Sequence, residues 1–158
     1  MHIRKRTTCR VCGSPSLKKV IDLGPQYLQG SFIKPGKEMP SLRKIDCSLV
    51  RCNPEQDENA CGLLQMQHSV PPEILYAAYW YRSGTNNTMR NHLKNIVESV
   101  TQLINKTNAS VLDIGCNDGS QLNAFQDIGS ETYGVDPAEN LFPTSSQRHN
   151  VSCGFFTG

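Results

Sequence analysis

Two groups of residues in this chain of 158 residues could do chemistry. The first is a set of cysteines. Cys9-Arg10-Val11-Cys12-Gly13 has the form of half a zinc site. Two residues between thiolates let both sulfurs meet one tetrahedral ion, and glycine after the second Cys allows the tight turn that aims backbone N–H groups at sulfur. The other half is expected to repeat Cys-Gly, as Cys61-Gly62 does. Its partner is open between Cys52 and Cys47. The polar, turn-forming stretch Asn53 to Ala60 can be an excursion between two ligands. Cys47 instead sits in Ile45 to Arg51, which reads as a strand, where a small buried Cys is ordinary. This favours Cys9, Cys12, Cys52 and Cys61. Four thiolates leave no open position for water, so a zinc ion there is structural. A thioredoxin-like role would need the C-x2-C beside a βαβ pattern, and the βαβ pattern here lies about 100 residues away.

The second group is the loop Asp113-Ile114-Gly115-Cys116-Asn117-Asp118-Gly119, which follows a strand and opens a helix. Glycines there let a ligand approach the backbone, and the helix start supplies unpaired N–H donors. Asp136 ends the next strand, where a carboxylate can bind the two hydroxyls of an adenosine ribose. Dinucleotide binding would want G-x-G-x-x-G, but Asn117 stands two past Gly115. Asn117 in place of glycine, with Asp113 and Asp118 around the turn, would repel a pyrophosphate and suit a ligand carrying a positive sulfonium and ammonium. A plain βα turn in a structural domain is the alternative.

The elements that must position these groups fall in three zones. Residues 1–70 hold the first five cysteines and many breakers, among them Gly24-Pro25, Lys34-Pro35-Gly36 and Met39-Pro40. Short strand-like pieces such as Lys19 to Leu23 lie between, and the breakers leave little room for long elements, so a metal is expected to replace a hydrophobic core. Residues 71–108 carry the aromatics Tyr76, Tyr79, Trp80 and Tyr81 and then a helix over about Asn87 to Lys106. Met89, Leu93, Ile96, Val97, Val100, Leu103 and Ile104 recur at steps of three and four and mark one buried face. Thr85 and Asn86 can cap it. His92 on this helix reads as a surface histidine. Residues 109–158 alternate: strand Ser110 to Ile114, helix from about Ser120 to Ile128, strand Glu131 to Asp136, and a further strand near Val151. Strand, glycine turn, helix, strand is the start of a parallel α/β sheet.

Composition sets the class. Hydrophobic residues at 37% and charged residues at 19% suit a globular chain, and no apolar run approaches the roughly 18–20 residues of a membrane span. The basic start, Met1 to Arg6, runs into Cys9 to Gly13 where a signal peptide needs its apolar stretch, so a cytoplasmic location is expected. Seven cysteines, an odd number, then read as metal ligands and free thiols rather than a disulfide framework. The net charge of +2 conceals a polarity: up to Lys44 ten basic residues face Asp22 and Glu38, a net +8, and the remainder carries −6. A basic module could touch nucleic acid. The alternative is a solvated face beside a zinc–tetrathiolate of charge about −2.

Asp-Ile-Gly-Cys-Asn-Asp-Gly-Ser from Asp113, with the later Gly134-Val135-Asp136-Pro137, resembles motifs I and II of class I S-adenosylmethionine (SAM) dependent methyltransferases, a Rossmann-like α/β fold. The Cys9 to Gly13 start, Leu49-Val50-Arg51-Cys52, Cys61-Gly62-Leu63-Leu64-Gln65 and Tyr79-Trp80-Tyr81-Arg82-Ser83-Gly84 are similar to the sugar C-methyltransferases of deoxysugar pathways, which place a small zinc-binding domain before the SAM domain. The resemblance implies SAM and Zn²⁺ as cofactors and a nucleotide-linked keto-sugar as substrate. A base would remove the proton next to the ketone, and the enolate carbon would attack the SAM methyl. It further implies a SAM pocket at Asp113, Gly115, Asn117, Asp118, Gly119 and Asp136, with Tyr79 to Tyr81 over that pocket or facing the sugar; Tyr81 is counted with the cofactor residues. Two departures stand out. The step from Cys52 to Cys61 is longer than the family's two-residue spacer. Family members are also much longer, so the chain is expected to be an N-terminal portion, inactive by itself and without a nominated catalytic base. A zinc-ribbon-type module binding nucleic acid, or a scaffold whose partner chain supplies further strands, are the competing readings.

Overall fold

The computed structural model describes residues 3–28, 35–36 and 44–157. Lys34, Lys37, Glu38, Met39-Pro40 and Arg43, which entered the charge and breaker patterns above, lie outside them. The chain divides into two units, Met1–Pro71 and Pro72–Gly158.

In the first unit, strands β1 (Arg4–Lys5), β2 (Leu17–Tyr27), β3 (Lys44–Cys52), β4 (Leu64–Met66) and β5 (His68–Ser69) make two antiparallel sheets among the described residues. β1 pairs with β5, and β3 lies between β2 and β4. The breakers suggest only short pieces, yet β2 runs 11 residues straight through Gly24-Pro25. The register with β3 slips between Asp22 and Pro25. The break is absorbed as an irregularity on an outer strand, where the missing proline N–H costs no ladder bond. Among the described residues of this unit, Cys9, Cys52 and Ala60 form a buried cluster with Leu17 and Leu63 packed against it, and Val50 on β3 is buried as well.

The excursion from Cys52 to Cys61 holds itself together. Asn53, fully buried, donates its backbone N–H to Ser16 O at 2.9 Å, and its own carbonyl accepts from Gln56 and Asp57. The Asp57 carboxylate accepts the Ser14 hydroxyl and the Asn59 N–H, while its carbonyl accepts the Ala60 N–H at 2.9 Å. A polar loop can therefore return Ala60 and Cys61 to the core without leaving its backbone unpaired.

The second unit opens with α1 (Pro72–Tyr76), a 3₁₀ turn at Ser83–Thr85 and α2 (Asn87–Ile104). The Asn86 side chain accepts the Met89 N–H at 2.8 Å, and α2 ends on Asn105 in the left-handed region. Then come β6 (Ser110–Ile114), α3 (Ser120–Gln126), β7 (Glu131–Asp136), α4 (Phe142–Ser145) and β8 (Asn150–Cys153). The three strands form a parallel sheet in the order β6-β7-β8, and parallel neighbours require a crossover such as α3. Leu122 and Leu141 are fully buried, with Phe125, Ala138 and Cys116 close to it; each leucine contributes about 1.5–3 kcal/mol.

The apolar face marked on α2 is only partly covered. Val97 is 3% exposed, but Leu103 is 85% and Ile104 50% exposed. Length explains this. At about 1.5 Å per residue α2 is about 27 Å long and α3 about 10 Å, so the crevice of Val97, Ala124 and Ile128 takes the middle of α2 and leaves its end uncovered. His92 is exposed on α2. No described helix is long and apolar enough to cross a membrane.

Candidate functional site

Four sulfurs converge in the first unit. Cys9 Sγ lies 3.6 Å from Cys61 Sγ and Cys12 Sγ 3.5 Å from Cys52 Sγ, with all four ligand atoms within 4.8 Å of one another. A tetrahedron with Zn–S bonds of about 2.3 Å has edges of about 3.8 Å, whereas a disulfide holds its sulfurs about 2.05 Å apart. The spacing therefore fits a metal tetrathiolate. Cys47 stands apart on β3, half-buried beside Tyr27, Met66 and His68.

The backbone around the sulfurs shows why Cys-Gly occurs twice. Gly13 has φ +77° and Gly62 φ +79°, a region costly for other residues. Past each glycine the chain turns back so that Ser14 N–H meets the Cys12 sulfur and Leu63 N–H meets the Cys61 sulfur. Backbone N–H groups of Cys12 and Val11 draw the Cys9 thiol down to about 6, helped by the Gln65 side-chain amide at 3.3 Å. Burial pushes Cys52 up to about 11 against the Cys61 and Gly62 N–H groups. Amides aimed at sulfur favour thiolate, the form that ligates metal.

In the second unit the Asp113–Gly119 turn sits at the C-terminal ends of β6 and β7. Gly115 (φ +86°) donates its N–H to Val135 O at 2.8 Å, and a Cβ on it would meet nothing within 4 Å. Asn117 adopts φ +52°, a region Asn tolerates better than most residues, so the turn keeps its shape without a second glycine. Burial, and then the neighbouring Asp136, raise the Asp113 carboxyl above its ordinary range. Burial also pushes the Cys116 thiol up to about 12, with Asp136 and Asp113 adding to it.

Each carboxylate oxygen of Asp136 takes one backbone amide. Its Oδ2 accepts the Asn117 N–H and its Oδ1 the Ala138 N–H, both at 2.8 Å. The side chains of Asn117 and Asp118 are spent on holding another segment. Asn117 Oδ1 accepts Ser83 N–H at 2.9 Å, Asn117 Nδ2 donates to Tyr81 O at 3.1 Å, and Asp118 Oδ2 accepts Gly84 N–H at 2.9 Å. These bonds draw the 79–84 strap over the turn, and a Cβ on Gly84 would overlap the Ser120 hydroxyl.

Beside the turn lies a cleft of about 440 Å³, lined by Gly115, Asn117 and Asp136 together with Tyr76, Tyr79, Phe155 and others. Of the residues singled out in sequence, Gly115, Asn117 and Asp136 line it, while Asp113, Asp118 and Gly119 shape the turn behind. Tyr81 is not in the lining; its carbonyl anchors the strap, and Tyr79 supplies the ring. Sequence reasoning missed Tyr76 and Phe155-Phe156 as walls. Only the return of β8 beside β7 brings the Phe pair to the cleft, and no local spacing signals it.

Residues 9–76 match a family whose description reads "Putative zinc binding domain". Over 156 residues the chain is 26% identical to the C-methyltransferase NovU of Streptomyces niveus, a match that takes in 97% of this chain and 36% of NovU. The chain thus spans just over a third of the length of the curated relative that it matches. The resemblance to a C-methyltransferase with an N-terminal zinc-binding domain stands on these two matches.

Proposed function

We propose that this chain is part of a SAM-dependent C-methyltransferase acting on a nucleotide-linked keto-deoxysugar, with Cys9, Cys12, Cys52 and Cys61 holding a structural zinc ion. The observation that carries the SAM reading is the cleft at Gly115 and Asp136, at the C-terminal ends of two parallel strands, where open α/β sheets bind ligands. Its size falls within the range of about 300–1,000 Å³ usual for small-molecule sites.

The residues present fit such a ligand. The empty space over Gly115 is a cradle that any Cβ would partly fill. The two amides on Asp136 fix its carboxylate, and each oxygen retains a lone pair for a ribose hydroxyl. Asp113 and Asp136 make the turn electronegative, which suits a sulfonium and an ammonium and opposes a pyrophosphate. Bound SAM supplies an electrophilic methyl group. Apolar walls such as Tyr79 and Phe155 exclude water from its surroundings.

A general base must reach the substrate proton to within hydrogen-bond distance. Among the described residues that line the cleft, the titratable side chains are Asp136, Tyr76 and Tyr79, and Asp136 already serves two amides. The proposal therefore includes that the 158-residue chain alone does not transfer methyl groups at an enzymatic rate. Calorimetric titration of SAM and of NAD onto zinc-loaded protein tests the reading. Saturable SAM binding, weaker with Asp136→Ala and without a matching NAD signal, is expected. NAD binding in preference to SAM, or methyl transfer at a normal rate by this chain, overturns the corresponding claim.

A further inference from the structure

The strap that walls the cleft is clamped at a second point. Asn140, in the turn after β7, addresses both backbone polar groups of one residue: its Oδ1 accepts the Tyr79 N–H at 2.9 Å and its Nδ2 donates to the Tyr79 carbonyl at 2.8 Å. The carboxamide thus mimics a β-bridge partner. One residue earlier, Glu139 N–H donates to Ala77 O at 3.0 Å. Asn117 and Asp118 fix the far end at Tyr81, Ser83 and Gly84.

Asp136 lies between the two clamps. One carboxylate oxygen orders the Asn117 amide and the other the Ala138 amide, and Ala138 is buried at the root of the turn that presents Asn140. The ring carried at the Asn140 clamp is that of Tyr79, half-buried and tilted against Tyr76 at 6.1 Å between centroids. Both rings line the cleft. Removing the Asn140 carboxamide frees the backbone of the residue that forms this wall and leaves β7, α3 and the glycine turn untouched.

From this geometry we infer that Asn140 is a positioning residue: through the Tyr79 backbone it sets the aromatic wall of the cleft, and with it the affinity for the ligand. The ligand assignment rests on the SAM reading above; the clamp does not.

Trp80, the single tryptophan of the chain, reports on the strap directly. It follows Tyr79, is 56% exposed, and touches the Tyr79 and Tyr81 rings. In the full zinc-loaded chain, Asn140→Ala is expected to lower the steady-state anisotropy of Trp80 and to weaken SAM binding about three- to tenfold, the range for losing hydrogen bonds of ordinary net strength. The midpoint of urea unfolding should fall only modestly, because Asn140 is exposed and water replaces part of what its two bonds contribute. Asn140→Asp keeps an acceptor for the Tyr79 N–H but sets a carboxylate oxygen against the Tyr79 carbonyl, so it should not restore the wild-type anisotropy. Unchanged anisotropy in Asn140→Ala overturns the clamp. Lowered anisotropy with unchanged SAM affinity overturns the positioning role. Absence of SAM binding by folded wild type removes the SAM reading instead, and the anisotropy of the variants still decides the clamp.

Discussion

Asp136 Oδ2 accepts the backbone N–H of Asn117 across 2.8 Å, tying the end of one strand to the turn that leaves its neighbour. The other carboxylate oxygen takes the Ala138 N–H, so one side chain fixes both the turn beneath the cleft and the loop that continues the wall. A carboxylate at this position is structural before any ligand arrives.

Asp136→Ala is therefore expected to destabilise the second unit as well as to weaken ligand binding. Each amide left without a partner costs about 1–3 kcal/mol. Urea unfolding followed by Trp80 fluorescence measures this, and a loss under about 0.5 kcal/mol would show that solvent replaces the carboxylate without penalty.

The cysteine geometry separates two residues that are close in sequence. Wild type and Cys47→Ser should each hold one zinc ion per chain by metal analysis, while Cys52→Ser should lose most of it. Structural zinc sites are worth about 10–16 kcal/mol of apparent binding free energy, so chelation should abolish amide-exchange protection in β2, β3 and β4 and spare Leu122 and Leu141 in the other unit. Equal zinc loss in the two serine variants would contradict the assignment.

Asp113 makes a pH-dependent contribution whose sign follows from its raised carboxyl. Within the window between the ordinary value of 3.8 and the raised folded value, the folded chain holds the extra proton, so stability falls as pH rises through it and stays lower above. Asp113→Asn removes that penalty. Its Tm, read by Trp80 fluorescence, should exceed wild type near neutral pH and converge with it in acid. A Tm difference that grows toward acid would reverse the sign. SAM binding by Asp113→Asn should weaken modestly, because the turn behind the cleft loses a negative charge that acts on a cationic ligand from a distance.

Gly134 on β7 lets the glycine turn pack against the sheet. A Cβ there would stand 2.7 Å from Cys116 Sγ and 3.0 Å from Leu122 Cδ1. Gly134→Ala is expected to cost about 1–3 kcal/mol, the usual range for overpacking. Combining it with Cys116→Ala should recover part of that loss in a double-mutant cycle, and strict additivity would show that the strain lies elsewhere.

Local chemistry was legible in the linear chain. Cys9-x2-Cys12-Gly13 and Cys61-Gly62 announce two turns that aim amides at sulfur, because only glycine takes the required positive φ cheaply. The strands at Ser110–Ile114 and Glu131–Asp136 and the Asn86-capped start of α2 follow from apolar runs bounded by turn residues, signals that act over a few residues. Tertiary structure decided what depends on distant partners. It chose Cys52 over Cys47 for the sulfur cluster, since that depends on how β3 meets the returning Ala60-Cys61 segment. It let β2 pass through Gly24-Pro25, because an outer strand can slip its register. It left the end of α2 uncovered, because α3 is short. The same holds at the cleft: Asn117 and Asp118 carry the composition of a ligand-binding turn, yet their side chains are spent on a strap more than thirty residues earlier. A side chain has few hydrogen-bonding groups, and whether they meet ligand or protein is set by which segments the fold brings within about 3 Å.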